Sequence, residues 1–185
     1  MGGVKRARRP ARSAPHAPHQ ALDRAVRCAV LTVSDTRRGR EDSSGALAER
    51  LLARAGHSVI ARAWTRDDRT TIRRAARSLL ARRTLDALIV TGGTGVAPRD
   101  VTPEALMPIC ERRLPGFGER FRALSHREVG EAAWLSRADA GIAKGRLIVL
   151  LPGSRAAVEL GLTGVLLPEL SHLVRLLGRF STPEE

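Results

Sequence analysis

The chain has 185 residues, with 32 Lys and Arg against 19 Asp and Glu (formal net charge +13), 43% apolar residues, three Phe, two Trp and no Tyr. That length suits one aliphatic core, since single cores span roughly 100 to 200 residues. No apolar run approaches the ~18–20 residues of a membrane span, no apolar stretch marks a secretory signal, and Cys28 and Cys110 lack zinc-site spacing; a cytoplasmic protein with two buried thiols is expected.

The first segment, "MGGVKRARRPARSAPHAPHQ", holds Lys5, Arg6, Arg8, Arg9 and Arg12 with no acidic residue and no apolar period. It predicts a disordered basic tail over residues 1–24. Such a tail attracts nucleic acid weakly and in a salt-sensitive way. No zinc-finger or RNA-binding signature is present and aromatics for base stacking are few, so no specific nucleic-acid recognition is expected.

Next, "VRCAVLTVSD" is a β-branched run closed by Ser34 and Asp35, a buried strand feeding a loop. "SSGALAERLLARAG" opens on cap-type serines, ends at Gly56 and sets Leu47, Leu51 and Leu52 on one helix face. "HSVIARAWT" is a second strand, followed by Asp67, Asp68 and the helix "RTTIRRAARSLLARR", whose arginines read as a solvated face. "LDALIVT" is a third strand. Thr102 is the expected cap of the next helix, with Pro103 at its first position and Glu104 in its first turn.

"RRLPGFGERFRALS" breaks and restarts the chain, and "LSRADAGIAKGRLIVLLPGS" supplies an irregular strand, a Lys-Gly turn and a strongly apolar strand. One final helix is expected from about Ser154 through Leu177, within a domain over 25–178 and before a polar tail over 179–185. Alternating strands and helices predict an α/β domain with right-handed crossovers and a mostly parallel sheet.

In such sheets ligands settle where loops leave the carboxyl ends of the strands. Those loops hold Ser34 and Asp35, Thr65 to Asp68, the run Thr91, Gly92, Gly93, Thr94 and Gly95, and the turn Pro152, Gly153 and Ser154. A glycine run alone also serves a tight strand-to-helix turn. The run lacks the lysine of a P-loop, and "SDTRRG" after the first strand is no dinucleotide fingerprint.

What remains is a Gly-Thr cradle for an anion, beside Arg99 and Asp100. A carboxylate next to an anion makes sense when a cation lies between them, so Arg99 is read as neutralising phosphate oxygens and Asp100 as holding Mg²⁺. Alone, Asp100 would read as assisting the cap at Thr102, and Asp67 or Asp68 as capping the preceding helix. Three acids, Asp35, Asp67 and Asp100, at three strand ends point to a shared site. Arg155 suits either a phosphate contact or a solvated helix start. His57 is expected to be exposed, His126 and His172 have no metal spacing, and Trp64 and Trp134 are expected to pack.

"TVSDT", "EDSSG", "TGGTGVAPRDVTPEA", "LPGFGE", "SRADAGIAKG" and "LPGS", in this order, closely resemble the MoaB/Mog family of molybdenum cofactor biosynthesis, the molybdopterin-binding domain proteins, over about residues 26–177. The resemblance implies a three-layer α/β/α sandwich with a mostly parallel central sheet, assembled as a homotrimer or as a hexamer of two trimers. It implies molybdopterin binding and, in catalytic members, adenylylation of the terminal phosphate of molybdopterin by Mg-ATP with release of pyrophosphate. A molybdate-inserting protein then acts on the product.

By position, Asp100 and Asp67 match the family's essential aspartates, with Asp68 as the alternative to Asp67. Thr91 to Gly95 match the nucleotide and phosphate loop, Ser34 and Asp35 a substrate-binding strand end, and Pro152, Gly153 and Ser154 a second ligand loop. "EDSSG" and "LPGS" lean toward the MoaB-like branch, where some members bind the pterin without a demonstrated adenylylation role.

Overall fold

A computed structural model describes residues 25–36 and 41–178. The tails expected over 1–24 and 179–185 lie outside the described residues. Strand β1 (Arg27–Val33) is buried at every position after Arg27, as its unbroken apolar run requires. Helix α1 (Ser43–Arg54) leads to β2 (Ser58–Thr65), and α2 (Arg69–Leu80) to β3 (Ala87–Thr91).

The short helix α3 (Thr102–Leu106) and a 3-10 turn precede the two-residue β4 (Arg112–Arg113) and α4 (Pro115–Val129). A second 3-10 turn (Gly130–Leu135) then leads to the hairpin of β5 (Asp139–Ala143) and β6 (Arg146–Leu151). Lys144 and Gly145 both take positive φ at its tip, as a two-residue hairpin turn demands.

The six strands form one sheet in the order β2-β1-β3-β6-β5-β4. The first four neighbours pair in parallel, whereas β5 and β4 run antiparallel to the strand beside them. Side chains alternate between two cores, as the strand period of two dictates. Cys28, Val30, Ile89, Leu147 and Val149 face α1, α4 and the last helices, while Leu31, Val33, Leu88, Val90 and Ile148 face α2 and α3. Three layers result, α/β/α, as the resemblance implies.

Several local expectations are corrected. Asp42, not a serine, caps α1: its Oδ1 accepts the Gly45 N–H at 2.8 Å, and its Oδ2 accepts from the Thr32 hydroxyl and from Arg62. Thr102 is the first residue of α3 rather than its cap; its Oγ1 donates to Gly92 O at 2.9 Å, so the hydroxyl braces the glycine loop.

The single closing helix is instead α5 (Arg155–Gly161), a π turn (Leu162–Leu166) and α6 (Leu170–Leu176). Pro168 lies at the break, where it lacks the N–H needed to continue a helix. His57 is half-buried, because its Nδ1 accepts the Val26 N–H at 3.3 Å. Trp134 is 70% exposed rather than packed. Cys28 is buried but Cys110 only partly so; burial pushes their thiols up to about 12 and about 11, which leaves them unreactive at neutral pH.

Candidate functional site

β1 is the pivot of the chain: α1 carries it to β2 on one side, and α2 returns it to β3 on the other. The carboxyl edge beside such a reversal opens a crevice. Register decides what enters it. Val33 is level with Thr65, Thr32 with Thr91, and Thr91 with Leu151, so four loops leave the sheet at one height.

These loops enclose a cavity of about 400 Å³. Its wall holds Ser34 and Asp35 after β1, Asp67 after β2, Thr91 to Gly95, Arg99 and Asp100 after β3, and Pro152 to Ser154 after β6, but not Asp68, the alternative to Asp67. Thr32, Thr36 and Ser44 also line it and were not singled out from the sequence; the "SSG" run after Asp42 was the available signal for Ser44. Arg155 is not on the wall.

The loops are fastened to one another. Gly92 N–H donates to Leu151 O at 2.9 Å and Thr91 Oγ1 to Pro152 O at 3.1 Å. Thr102 N–H donates to Gly93 O at 3.0 Å, and Ser34 N–H to Thr65 O at 3.0 Å. Gly92 and Gly93 both have positive φ, 102° and 64°, which only glycine adopts without strain here. A β-carbon on Gly92 would strike Val33 O, so the end of β1 and the glycine loop pack backbone to backbone.

Asp67 and Asp68 take separate roles. Asp68 caps α2 by accepting the Thr71 N–H at 2.8 Å. Asp67 turns into the cavity, where an Oδ1 accepts the Val101 N–H at 3.4 Å, and its own N–H donates to Asp35 Oδ1 at 3.1 Å. Burial, and then the negative charges of Asp100 and Asp35, raise the Asp67 carboxyl above its ordinary value, while the Val101 N–H and Arg99 oppose the rise. Asp100 does not assist a cap: its Oδ2 accepts the Ala97 N–H at 3.0 Å.

A further feature points to a ligand. Thr94 is 2% exposed, and its Oγ1 is buried with no hydrogen-bond partner. An unpaired buried hydroxyl costs about 1–3 kcal/mol, which a polar ligand in the cavity would relieve. Among the described residues no group of three or more His, Cys, Asp or Glu side chains is placed to hold a metal ion alone. The donors present suit a cation that takes one or two carboxylates and completes its shell with phosphate oxygens and water, the habit of Mg²⁺.

Fold and cavity define a doubly wound α/β protein with a ligand-sized, polar hollow at its switch point. Residues 29–172 match the family described as the probable molybdopterin binding domain, and the chain belongs to that family, the MoaB/Mog group. It is 44% identical over 151 residues to molybdenum cofactor biosynthesis protein B of Bacillus subtilis (strain 168), covering 81% of this chain and 89% of the relative. To the protein of that name from Staphylococcus carnosus (strain TM300) it is 45% identical over 159 residues, covering 84% and 93%. A crystal structure of a molybdenum cofactor biosynthesis protein B superposes with a TM-score of 0.82 at 38% identity, covering 89% of this chain and all of that one. No single described helix is long and apolar enough to cross a membrane.

Proposed function

We propose that this protein binds molybdopterin in the cavity and adenylylates its terminal phosphate with ATP. The observation that carries the reading is the meeting of Asp67 and Asp100 with the Gly92–Gly95 loop on the wall of one hollow. In the reaction an oxygen of the molybdopterin phosphate attacks the α-phosphorus of ATP. The bond from that phosphorus to the bridging oxygen breaks, pyrophosphate leaves with the electron pair, and a new phosphoanhydride joins AMP to the pterin.

No side-chain nucleophile is needed, so the protein's contribution is positioning and charge neutralisation. Thr91 to Gly95 cradle phosphate oxygens, with the unpaired Thr94 hydroxyl as a ready donor. Arg99, at the rim, offsets their charge. Ser34, Asp35 and the Pro152–Ser154 turn hold the rest of the ligands. Asp67 and Asp100 would hold Mg²⁺, which when bound reduces the repulsion between the two phosphate anions.

The domain is taken to span 25–178. We read the working assembly as a homotrimer; the apolar side chains exposed at Val129, Trp134 and Leu135 would suit a contact between copies. A molybdate-inserting protein would consume the product.

A second reading, a carrier that binds molybdopterin without turning over ATP, rests on the resemblance of "EDSSG" and "LPGS" to the MoaB-like branch. Incubation of the purified protein with molybdopterin, ATP and Mg²⁺ separates the two. Adenylylated pterin supports the first; bound pterin with no such product supports the second.

A further inference from the structure

One side chain outside the cavity holds the loop that carries Asp100. Arg137 lies between the second 3-10 turn and β5. Its backbone N–H donates to Thr94 O at 2.9 Å, and its Nε donates to Gly95 O at 2.8 Å. One terminal nitrogen donates to Asp100 O, and the other pairs with the Glu104 carboxylate on α3. A single planar guanidinium thus spans both ends of the Gly95–Asp100 turn and anchors it to the next helix.

Only an arginine offers donors in that fixed fork. Inside the turn Asp100 Oδ2 takes the Ala97 N–H and lies against Gly95, so the placing of its carboxylate follows from the placing of the backbone that Arg137 holds. These partners are loop carbonyls and the 45% exposed Glu104 side chain rather than core groups. Arg137 also forms part of the wall of a second hollow, beside Arg122 and Trp134, and is absent from the wall of the first.

We propose that Arg137 is a positioning residue, which sets the Asp100 carboxylate and the Gly95 end of the glycine loop for phosphate and metal binding without touching either ligand. Its kinetic consequence rests on the adenylyl-transfer reading; its structural consequence does not.

The test compares wild type with Arg137→Gln, Arg137→Lys and, as a control that removes only the α3 contact, Glu104→Gln. Three quantities are read: amide exchange across residues 94–101, Mn²⁺ affinity in the presence of ATP by electron paramagnetic resonance, and kcat with KM for ATP. Arg137→Gln is expected to speed exchange in the loop while β1 and β3 exchange as in wild type, and to weaken Mn²⁺ binding. It should lower kcat by about 100-fold, the scale of a small misplacement of reacting groups.

Arg137→Lys should recover part of each loss, since an ammonium keeps the charge but not the fork; Glu104→Gln should remain near wild type. Wild-type loop exchange and Mn²⁺ affinity in Arg137→Gln would overturn the proposal. If wild type makes no adenylylated pterin, the functional reading fails, and exchange with Mn²⁺ affinity still decides the role of Arg137.

Discussion

The carboxylate of Asp67 packs so closely on Gly93 that a β-carbon added there would lie 2.7 and 2.8 Å from its two oxygens. The glycine that shapes the loop after β3 and the acid from the end of β2, across β1, are therefore a single fitted unit. Gly93→Ala would displace Asp67 and place a side chain at φ 64°, a conformation costing about 1–2 kcal/mol. Molybdopterin binding, measured by fluorescence titration, is expected to weaken at least about tenfold, equivalent to ~1.4 kcal/mol. Gly116→Ala, in α4 with open space around it, should bind as wild type does.

Asp67 links the site to pH. Its folded-state carboxyl lies above its ordinary value, so the folded protein holds this proton more tightly than the unfolded chain. The associated stability is present below the unfolded value of 3.8 and is lost as pH rises through the raised one. Burial disfavours ionisation of this carboxyl, so Asp67→Asn should raise the melting temperature and, under the proposed function, abolish adenylylation. Melting curves at pH 4 and pH 7 check the sign: the advantage of the variant should be present at pH 7 and shrink at pH 4.

Far from the cavity, Arg27 and Asp86 form a bidentate pair at the opposite end of β1, with Nε–Oδ2 at 2.9 Å and Asp86 fully buried. Arg27→Ala would remove both guanidinium hydrogen bonds from that carboxylate and leave it the backbone N–H of residue 27; losing a hydrogen bond to a charged group costs about 1.5–3 kcal/mol. Urea denaturation should show the loss. Pterin affinity of the fraction that remains folded should be unchanged, since neither residue lines the cavity.

The strand ends were legible because each apolar run stops at a small polar or acidic residue, and register needs only the parallel order to bring Asp35, Asp67 and Asp100 to one edge. The capping choice between Asp67 and Asp68 was not legible, because adjacent acids before a helix satisfy the same pattern; backbone extension at Asp68 settles which side chain turns back to Thr71. Thr102 misled as well. The helix begins one residue earlier than a cap at Thr102 would place it, so Thr102 lies inside the first turn and its hydroxyl donates to the Gly92 carbonyl, brought in by the tertiary fold. Arg137 stands in the motif "SRADAGIAKG", but nothing local marks its role: its partners Gly95 and Asp100 lie some forty residues back in the chain, and the fold brings them together. Pro168 was a visible stop that the apolar run around it concealed.

In the proposed reaction Asp67 and Asp100 serve transfer of the adenylyl group of ATP to a pterin phosphate. Single-turnover reactions with α-phosphate-labelled ATP, molybdopterin and Mg²⁺ test it most directly in wild type, Asp100→Asn and Asp68→Asn. Label should appear on the pterin with wild type and with Asp68→Asn, and not with Asp100→Asn, whose melting temperature should be unchanged. Label transfer by Asp100→Asn at the wild-type rate, or no transfer by a wild-type protein that binds the pterin, would contradict it.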